Sequence, residues 1–194
     1  MVLLANNDMG KIIKPKPVKL IMSIISSIEG LFSEAKVVLS DYFGPIDMES
    51  PYQWFDFTDY YLEEMGPNLK QKLISFNQLI PPNTITNIKA QSNQLEIDFS
   101  RSQKPPNSMK NNLVSRPINF DPGYLTLNKF ILASTKNGPA RIYIDQGIYA
   151  EITLQFFKQS FQGHQWTYQN YQTTCFIDFL NSVRKKYKEQ LKGL

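Results

Sequence analysis

The sequence predicts an α+β protein, a single mostly antiparallel sheet of about six or seven strands with about three helices packed on one face. Three observations carry that expectation. Short apolar runs, alternating or rich in β-branched residues, are bounded by Pro, Gly, Asn and Ser. Three longer stretches repeat apolar residues at three- and four-residue spacing, the period of a helix with one buried face. The segment from Leu127 to Leu154 is β-rich and includes a hairpin. A chain of 194 residues with 42% hydrophobic and 13% aromatic residues is long enough to bury one core. Residues 1–16 are expected to be a flexible tail and residues 17–194 a single domain, interrupted by a mobile loop near 101–115.

In chain order, Val18 to Ile25, "VKLIMSII", is too short for a typical helix and reads as a buried strand. Ile28, Leu31, Phe32, Ala35, Val38, Leu39 and Tyr42 then mark a helix, with Ser26 or Ser27 as N-cap and Gly44-Pro45 as the stop. Pro51 to Phe57 is expected as an aromatic strand. Leu69 to Leu79 alternates, with Leu69, Gln71, Leu73 and Ser75 on one face and Lys70, Lys72, Ile74 and Phe76 on the other. Asn83 or Thr84 can cap a second helix striped by Ile85, Ile88, Ser92, Leu95 and Phe99. The polar Pro- and Asn-bearing stretch Arg101 to Ser115 follows as the loop.

Leu127 to Thr135 centres on Phe-Ile-Leu and reads as a strand. In "ARIYIDQGIYAEITL" a two-residue loop would set apolar sides against polar ones, so a three-residue loop, Asp145-Gln146-Gly147, is expected. It opposes Tyr143 to Tyr149, Ile142 to Ala150 and Arg141 to Glu151. One hairpin face is then apolar, and the other carries Arg141, Tyr143, Tyr149, Glu151 and Thr153. Phe176, Phe179, Leu180, Val183, Tyr187 and Leu191 mark a C-terminal helix.

Composition narrows the chemistry. A single cysteine, Cys175, excludes an internal disulfide and suits a reducing, cytoplasmic location. With one histidine, His164, read as an exposed loop residue, there is no His/Cys metal set, and no metal site is expected. No partner for a nucleophilic Cys175 is identifiable, so it reads as packing. No apolar run approaches the roughly 18 residues of a membrane span, and no membrane association is expected. A net charge of +4 permits an anionic partner without requiring one. No cofactor and no oligomeric state can be read from the residues.

The stretch "RPINFDPGY", residues 116–124, runs from strand-like alternation into Asp121-Pro122-Gly123-Tyr124, a type II turn pattern. Pro117 suggests an edge strand. Alternation places Arg116, Ile118 and Phe120 on one side and Asn119 and Asp121 on the other. Lys70, Lys72, Arg116, Lys129, Lys136 and Arg141 lie on or beside expected strands, with Glu96, Asp98, Asp121 and Glu151 as counter-charges or oxygen ligands. Such a set on the inside of a curved sheet could hold an anion. The ordinary alternative is a solvated sheet face with Arg141 and Glu151 as a cross-strand surface pair.

"INFDPGYLTLNKFILASTKN", then "RIYIDQGIYAEITL" and "WTYQNY", with "FTDYYLEEMG" upstream, together resemble the signature of a prokaryotic family, domain of unknown function 4416, from about Val18 onward. The resemblance adds Thr58, Tyr60, Tyr61, Glu64, Trp166, Tyr168 and Tyr171 to the positions of interest. Asn137, Ala140, Gln169 and Asn170 depart from the family's pattern, which removes an acid and a histidine from any mechanism built on it. Members are sometimes labelled GTP-binding. Against that label, the chain has no Gly-x-x-x-x-Gly-Lys-Ser/Thr loop and no Gly-x-Gly-x-x-Gly run to cradle phosphates.

The leading expectation is a cytoplasmic protein that binds a small anionic or phosphorylated ligand in a polar pocket on the sheet. Its candidate ligand-binding residues are Tyr60, Tyr61, Glu64, Arg116, Asn119, Asp121, Lys129, Lys136, Arg141, Tyr143, Glu151, Trp166 and Tyr168. Whether it is an enzyme stays open. The alternative is an RNA- or protein-binding module that uses the aromatic segment and the basic residues Arg184, Lys185, Lys186 and Lys188.

Overall fold

A computed structural model describes residues 12–102 and 114–193. Residues 1–11 of the expected tail and 103–113 of the expected loop lie outside the described residues. The strands are β1 (Val18–Ser26), β2 (Ile46–Glu49), β3 (Gln53–Trp54), β4 (Lys70–Ile80), β5 (Asn119–Leu125), β6 (Lys129–Ser134), β7 (Arg141–Asp145), β8 (Ile148–Phe157) and β9 (Ser160–Gly163). The helices are α1 (Glu29–Phe43), the one-turn α2 (Leu62–Met65), α3 (Ile85–Ser102) and α4 (Thr174–Gln190). The strands form one nine-stranded sheet in the order β2-β4-β1-β5-β6-β8-β7, with β3 added to β4 and β9 to β8. Every pairing is antiparallel. The α+β class is as the sequence predicts, and the extra strands are short pieces, β2 and β9, whose patterns are too brief to read.

The helices divide between the two faces, where the sequence reading put all three on one. Alternation along β1 explains why. Leu20, Met22 and Ile24 meet Ile74 and Phe76 of β4 and the apolar stripes of α1 and α3, including Leu31, Phe32, Leu39, Ile85, Ile88, Leu95 and Phe99. Ile21 and Leu73 point the other way, into a second core with Leu125, Phe130, Leu154 and the α4 residues Phe176, Phe179, Leu180, Val183 and Tyr187. A central strand buried on both sides needs cover on both.

Local details correct several other expectations. Ser26 does not cap α1. Its hydroxyl accepts from Ile28 N at 3.0 Å and donates to the Pro117 carbonyl at 2.7 Å, which ties the end of β1 to the approach of β5. Gly44 does end α1, with φ 90°. The expected strand over 51–57 shrinks to β3. The hairpin turn is the two-residue one, Gln146-Gly147, with both φ positive (52° and 75°), as a type I′ turn requires. An irregularity between Tyr143 and Asp145 absorbs the slip, so Arg141 still opposes Glu151 and Tyr143 still opposes Tyr149. Its nominally apolar face is divided, with Ile142 72% exposed and Ile148 buried in the core of α1 and α3, and on the other face the Arg141–Glu151 pair is turned inward.

The largest correction concerns Asp121-Pro122-Gly123. These residues are not a turn. They lie extended within β5, opposite Ser23, Met22 and Ile21 of β1. Nor is β5 an edge strand; it lies between β1 and β6. What misled is that Pro and Gly here serve a break in the sheet.

Candidate functional site

β5 and β6 pair only at Gly123–Leu125 with Phe130–Leu132, while Asn119 to Asp121 have no β6 partner. The sheet splits at this point. In the alternation of an antiparallel strand, the N–H and C=O of Phe120 face the side that β6 has left. Two charged side chains of α3 take the place of the missing strand: Glu96 Oε1 accepts from Phe120 N at 2.7 Å, and Lys89 Nζ donates to Phe120 O at 2.9 Å. Pro122, the next residue facing the gap, has no N–H to satisfy. Gly123 lets the strands rejoin, since a Cβ there would lie 2.4 Å from the Ile131 carbonyl oxygen. The amide and carbonyl of Phe120 are thus both satisfied without a ladder.

The split opens into a cavity of about 630 Å³. Its floor is the sheet face carrying Gln71, Asn119, Asp121, Leu132 and Glu151. One wall is the segment from Phe55 to Glu64, and the opposite wall is Trp166 to Tyr171. Lys89 and Asn93 reach in through the gap from α3, and Ser134 to Lys136 with Arg141 form the rim.

Two polar nodes stand in it. In the first, Lys89 Nζ lies 3.2 Å from Asp121 Oδ1, Asn119 Nδ2 donates to Asp121 Oδ2 at 2.7 Å, and Arg116 donates to Asn119 Oδ1. Arg116 also grips Glu96 Oε2 through Nη2 at 2.6 Å and Nε at 3.1 Å. In the second, Arg141 Nε donates to Glu151 Oε2 at 2.9 Å, and Nη1 donates to Ser134 Oγ and the Lys136 carbonyl at 3.0 Å each. Tyr168 Oη lies 3.4 Å from Arg141 Nη2. This pair is buried, with side chains 13% and 7% exposed, and is no surface pair.

Burial works against the Asp121 charge, but Lys89, the Asn119 amide and Arg116 outweigh it and hold the carboxyl below its ordinary range. Glu96 differs: burial wins over Lys89 and Arg116, and its carboxyl is raised. Arg116 and Arg141 both rise despite burial, through Glu96 and Glu151. Burial raises the phenols of both Tyr61 and Tyr171. Asp121 therefore stays ionised at neutral pH.

In the floor, the fully buried Gln71 donates to Ser23 Oγ at 2.8 Å and accepts from Asn170 Nδ2 at 3.0 Å. The wall segment is tied to β8, because Thr167 Oγ1 donates to Thr153 O at 2.5 Å and Trp166 Nε1 to Ile152 O at 3.0 Å. At the rim, Lys136 donates to Tyr60 Oη and lies 4.1 Å above the Tyr60 ring centre. Tyr60, Trp166 and Tyr168 keep about half of their surface exposed there.

Of the residues singled out from sequence, Tyr60, Tyr61, Glu64, Arg116, Asn119, Asp121, Lys136, Arg141, Glu151, Trp166 and Tyr168 line this one cavity. Lys129 and Tyr143 do not: Lys129 is exposed at the start of β6, and Tyr143 of β7 packs edge-on against Tyr149 of β8. Lys70 and Lys72 lie elsewhere, with Glu29 and Glu49, and Asp98 pairs with Arg101. Arg116 departs from the alternation and joins Asn119 because it precedes the strand. Sequence reasoning missed Lys89, Gln71, Asn93 and Thr167. For Lys89 there was a signal: it falls inside the apolar stripe of α3, four residues after Ile85, where a lysine must find a buried partner.

His164 is half-buried, not an exposed loop residue. It stacks on Trp166 at 4.6 Å, with Nε2 buried and without a partner among the described residues. Cys175 packs against the α4 core, and burial raises its thiol. Among the described residues no three His, Cys, Asp or Glu side chains are grouped as a metal site would require. No helix there is long and apolar enough to cross a membrane.

No curated protein and no solved structure matches the chain. The ordered motifs that span the cavity, from the wall at Phe57 through β5 to Trp166, fall within a match of residues 16–187 to the family model of the domain of unknown function 4416, and the chain belongs to that family.

Proposed function

We propose that this is a cytoplasmic protein that binds a small anionic molecule in the cavity at the sheet split. The observation that carries the reading is convergence. Lys89, Arg116, Lys136 and Arg141 come from four separate parts of the chain to one cavity with an aromatic rim. A volume of about 630 Å³ suits a small molecule, and pockets that hold one combine apolar walls with a few placed polar groups. Lys136 is the natural anchor for the anion. Its partner is a phenol, whereas Lys89, Arg116 and Arg141 each face a carboxylate.

Binding is what the groups support directly: Asp121, held ionised, cannot serve as a general acid at neutral pH. The RNA- or protein-binding alternative loses part of its basis. Lys186 is engaged by Asp47 at 3.0 Å, and Arg184 donates to the Leu127 carbonyl and covers the Phe156 ring. Only Lys185 and Lys188 of that cluster are exposed.

The test is a thermal-shift screen of phosphorylated and carboxylated small molecules, followed by calorimetry on wild type and Lys136→Met. A ligand that raises the melting temperature, and whose affinity falls about tenfold or more in the variant, supports the reading. A screen in which no anionic compound stabilises the protein refutes it.

A further inference from the structure

The charges in the cavity are arranged in couples. Arg141 stands with Glu151, Lys89 with Asp121, and Arg116 with Glu96, each within hydrogen-bond distance. A multiply charged ligand would have to strip a cation from its buried carboxylate, which leaves a charge uncompensated. A hydroxyl group has no such difficulty. It donates to the acceptor of a couple and accepts from the donor beside it, and two neighbouring hydroxyls do so twice.

The walls add groups of the same kind: the side-chain amides of Asn93 and Gln169 each both donate and accept. A flat aromatic ligand would desolvate these amides and the polar floor without offering them hydroxyls, at a cost for each. The exposed rings of Tyr60, Trp166 and Tyr168 are confined to the walls and rim, where they can cover the C–H face of a saturated ring. Lys136 at the rim provides for one anionic group.

We infer that the ligand is a polyhydroxylated ring bearing a single phosphate or carboxylate, of the sugar phosphate class, with its hydroxyls on the paired floor and its anion at Lys136. This rests on the ligand-binding reading above.

Calorimetry with glucose 6-phosphate, ribose 5-phosphate, glucose, phenyl phosphate and inorganic phosphate tests it. At least one sugar phosphate is expected to bind about tenfold or more tightly than phenyl phosphate and inorganic phosphate. Lys136→Met should bring that sugar phosphate down to the affinity of the neutral sugar. Trp166→Ala should weaken both sugars alike, with circular dichroism confirming that each variant is folded. If phenyl phosphate binds as tightly as either sugar phosphate, or if none of the five binds, the sugar assignment is overturned. The ligand-binding reading would then stand or fall separately, on whether the wider screen finds another anion.

Discussion

Replacing Lys89 with methionine tests whether a side chain of α3 substitutes for a missing strand. Methionine keeps most of the aliphatic stem, so packing changes little, and the ammonium alone is lost. Its two acceptors are the Phe120 carbonyl at 2.9 Å and Asp121 at 3.2 Å, and the Lys89 side chain is 6% exposed. An unpaired buried carbonyl costs about 1–3 kcal/mol, and removing one partner of a buried ion pair about 3–5 kcal/mol. The two overlap, and Asp121 keeps its bond to Asn119 with 29% of its side chain exposed. The expected loss is therefore near the lower end, about 3 kcal/mol. Urea unfolding near neutral pH, followed by tryptophan fluorescence, measures it. Lys36→Met, at a pair 30% and 44% exposed, serves as control and should stay within about 0.5 kcal/mol of wild type.

The pH dependence adds a second check. Asp121 titrates below its ordinary value of 3.8 in the folded protein, so the stability it contributes is present above that value and is lost as pH falls through the lower folded one. The gap between Lys89→Met and wild type should narrow in that acid window. A loss below about 1 kcal/mol at neutral pH, or a gap that does not change with acid, would refute the account of the split.

Asp47→Asn removes the carboxylate that accepts from Lys19 at 2.5 Å, Ser75 at 2.6 Å and Lys186 at 3.0 Å. Lys19 is fully buried, so a loss of about 3 kcal/mol at pH 7 is expected by chemical denaturation. Asp47 itself is held below its ordinary 3.8 by Lys19, Ser75 and Lys186 against the effect of burial, so the difference should shrink as wild type is acidified below that value. Gly123→Ala places a Cβ 2.4 Å from the Ile131 oxygen, and a loss of at least about 2 kcal/mol is expected, with faster amide exchange where β5 meets β6. Gly147→Ala meets no atom within 4 Å, so its cost is the backbone one at φ 75°, about 1 kcal/mol, and Gly147→Asn should cost less. Equal effects from Ala and Asn in melting experiments would contradict that origin.

Much was determined by sequence alone. The two-residue period of β4 and the 3.6-residue period of α1, α3 and α4 depend only on local chain geometry, and each element appears where its pattern lies. The Arg141–Glu151 register was legible because apolar and polar sides must match across a hairpin. Part of the cavity's lining was legible too: Arg116, Asn119, Asp121, Lys136, Arg141 and Glu151 from their places on or beside expected strands, and Tyr60, Tyr61, Glu64, Trp166 and Tyr168 from the family resemblance.

Tertiary structure decided what depends on partners distant in the chain. Asp-Pro-Gly carries the local signature of a turn, yet opposite β1 it is held extended, because pairing with Met22 and Ser23 outweighs a turn's single bond. The same proline and glycine then serve a gap that no local pattern reveals. The stripe of α3 marks Lys89 as buried, but what Lys89 and Glu96 bond to is decided only when α3 is laid across the unpaired edge of β5. Which face α4 covers is settled only when the sheet shows that β1 is apolar on both sides. Local periodicity tells which residues share a face, but what that face meets is a property of the assembled sheet, where burial and unpaired backbone groups are determined.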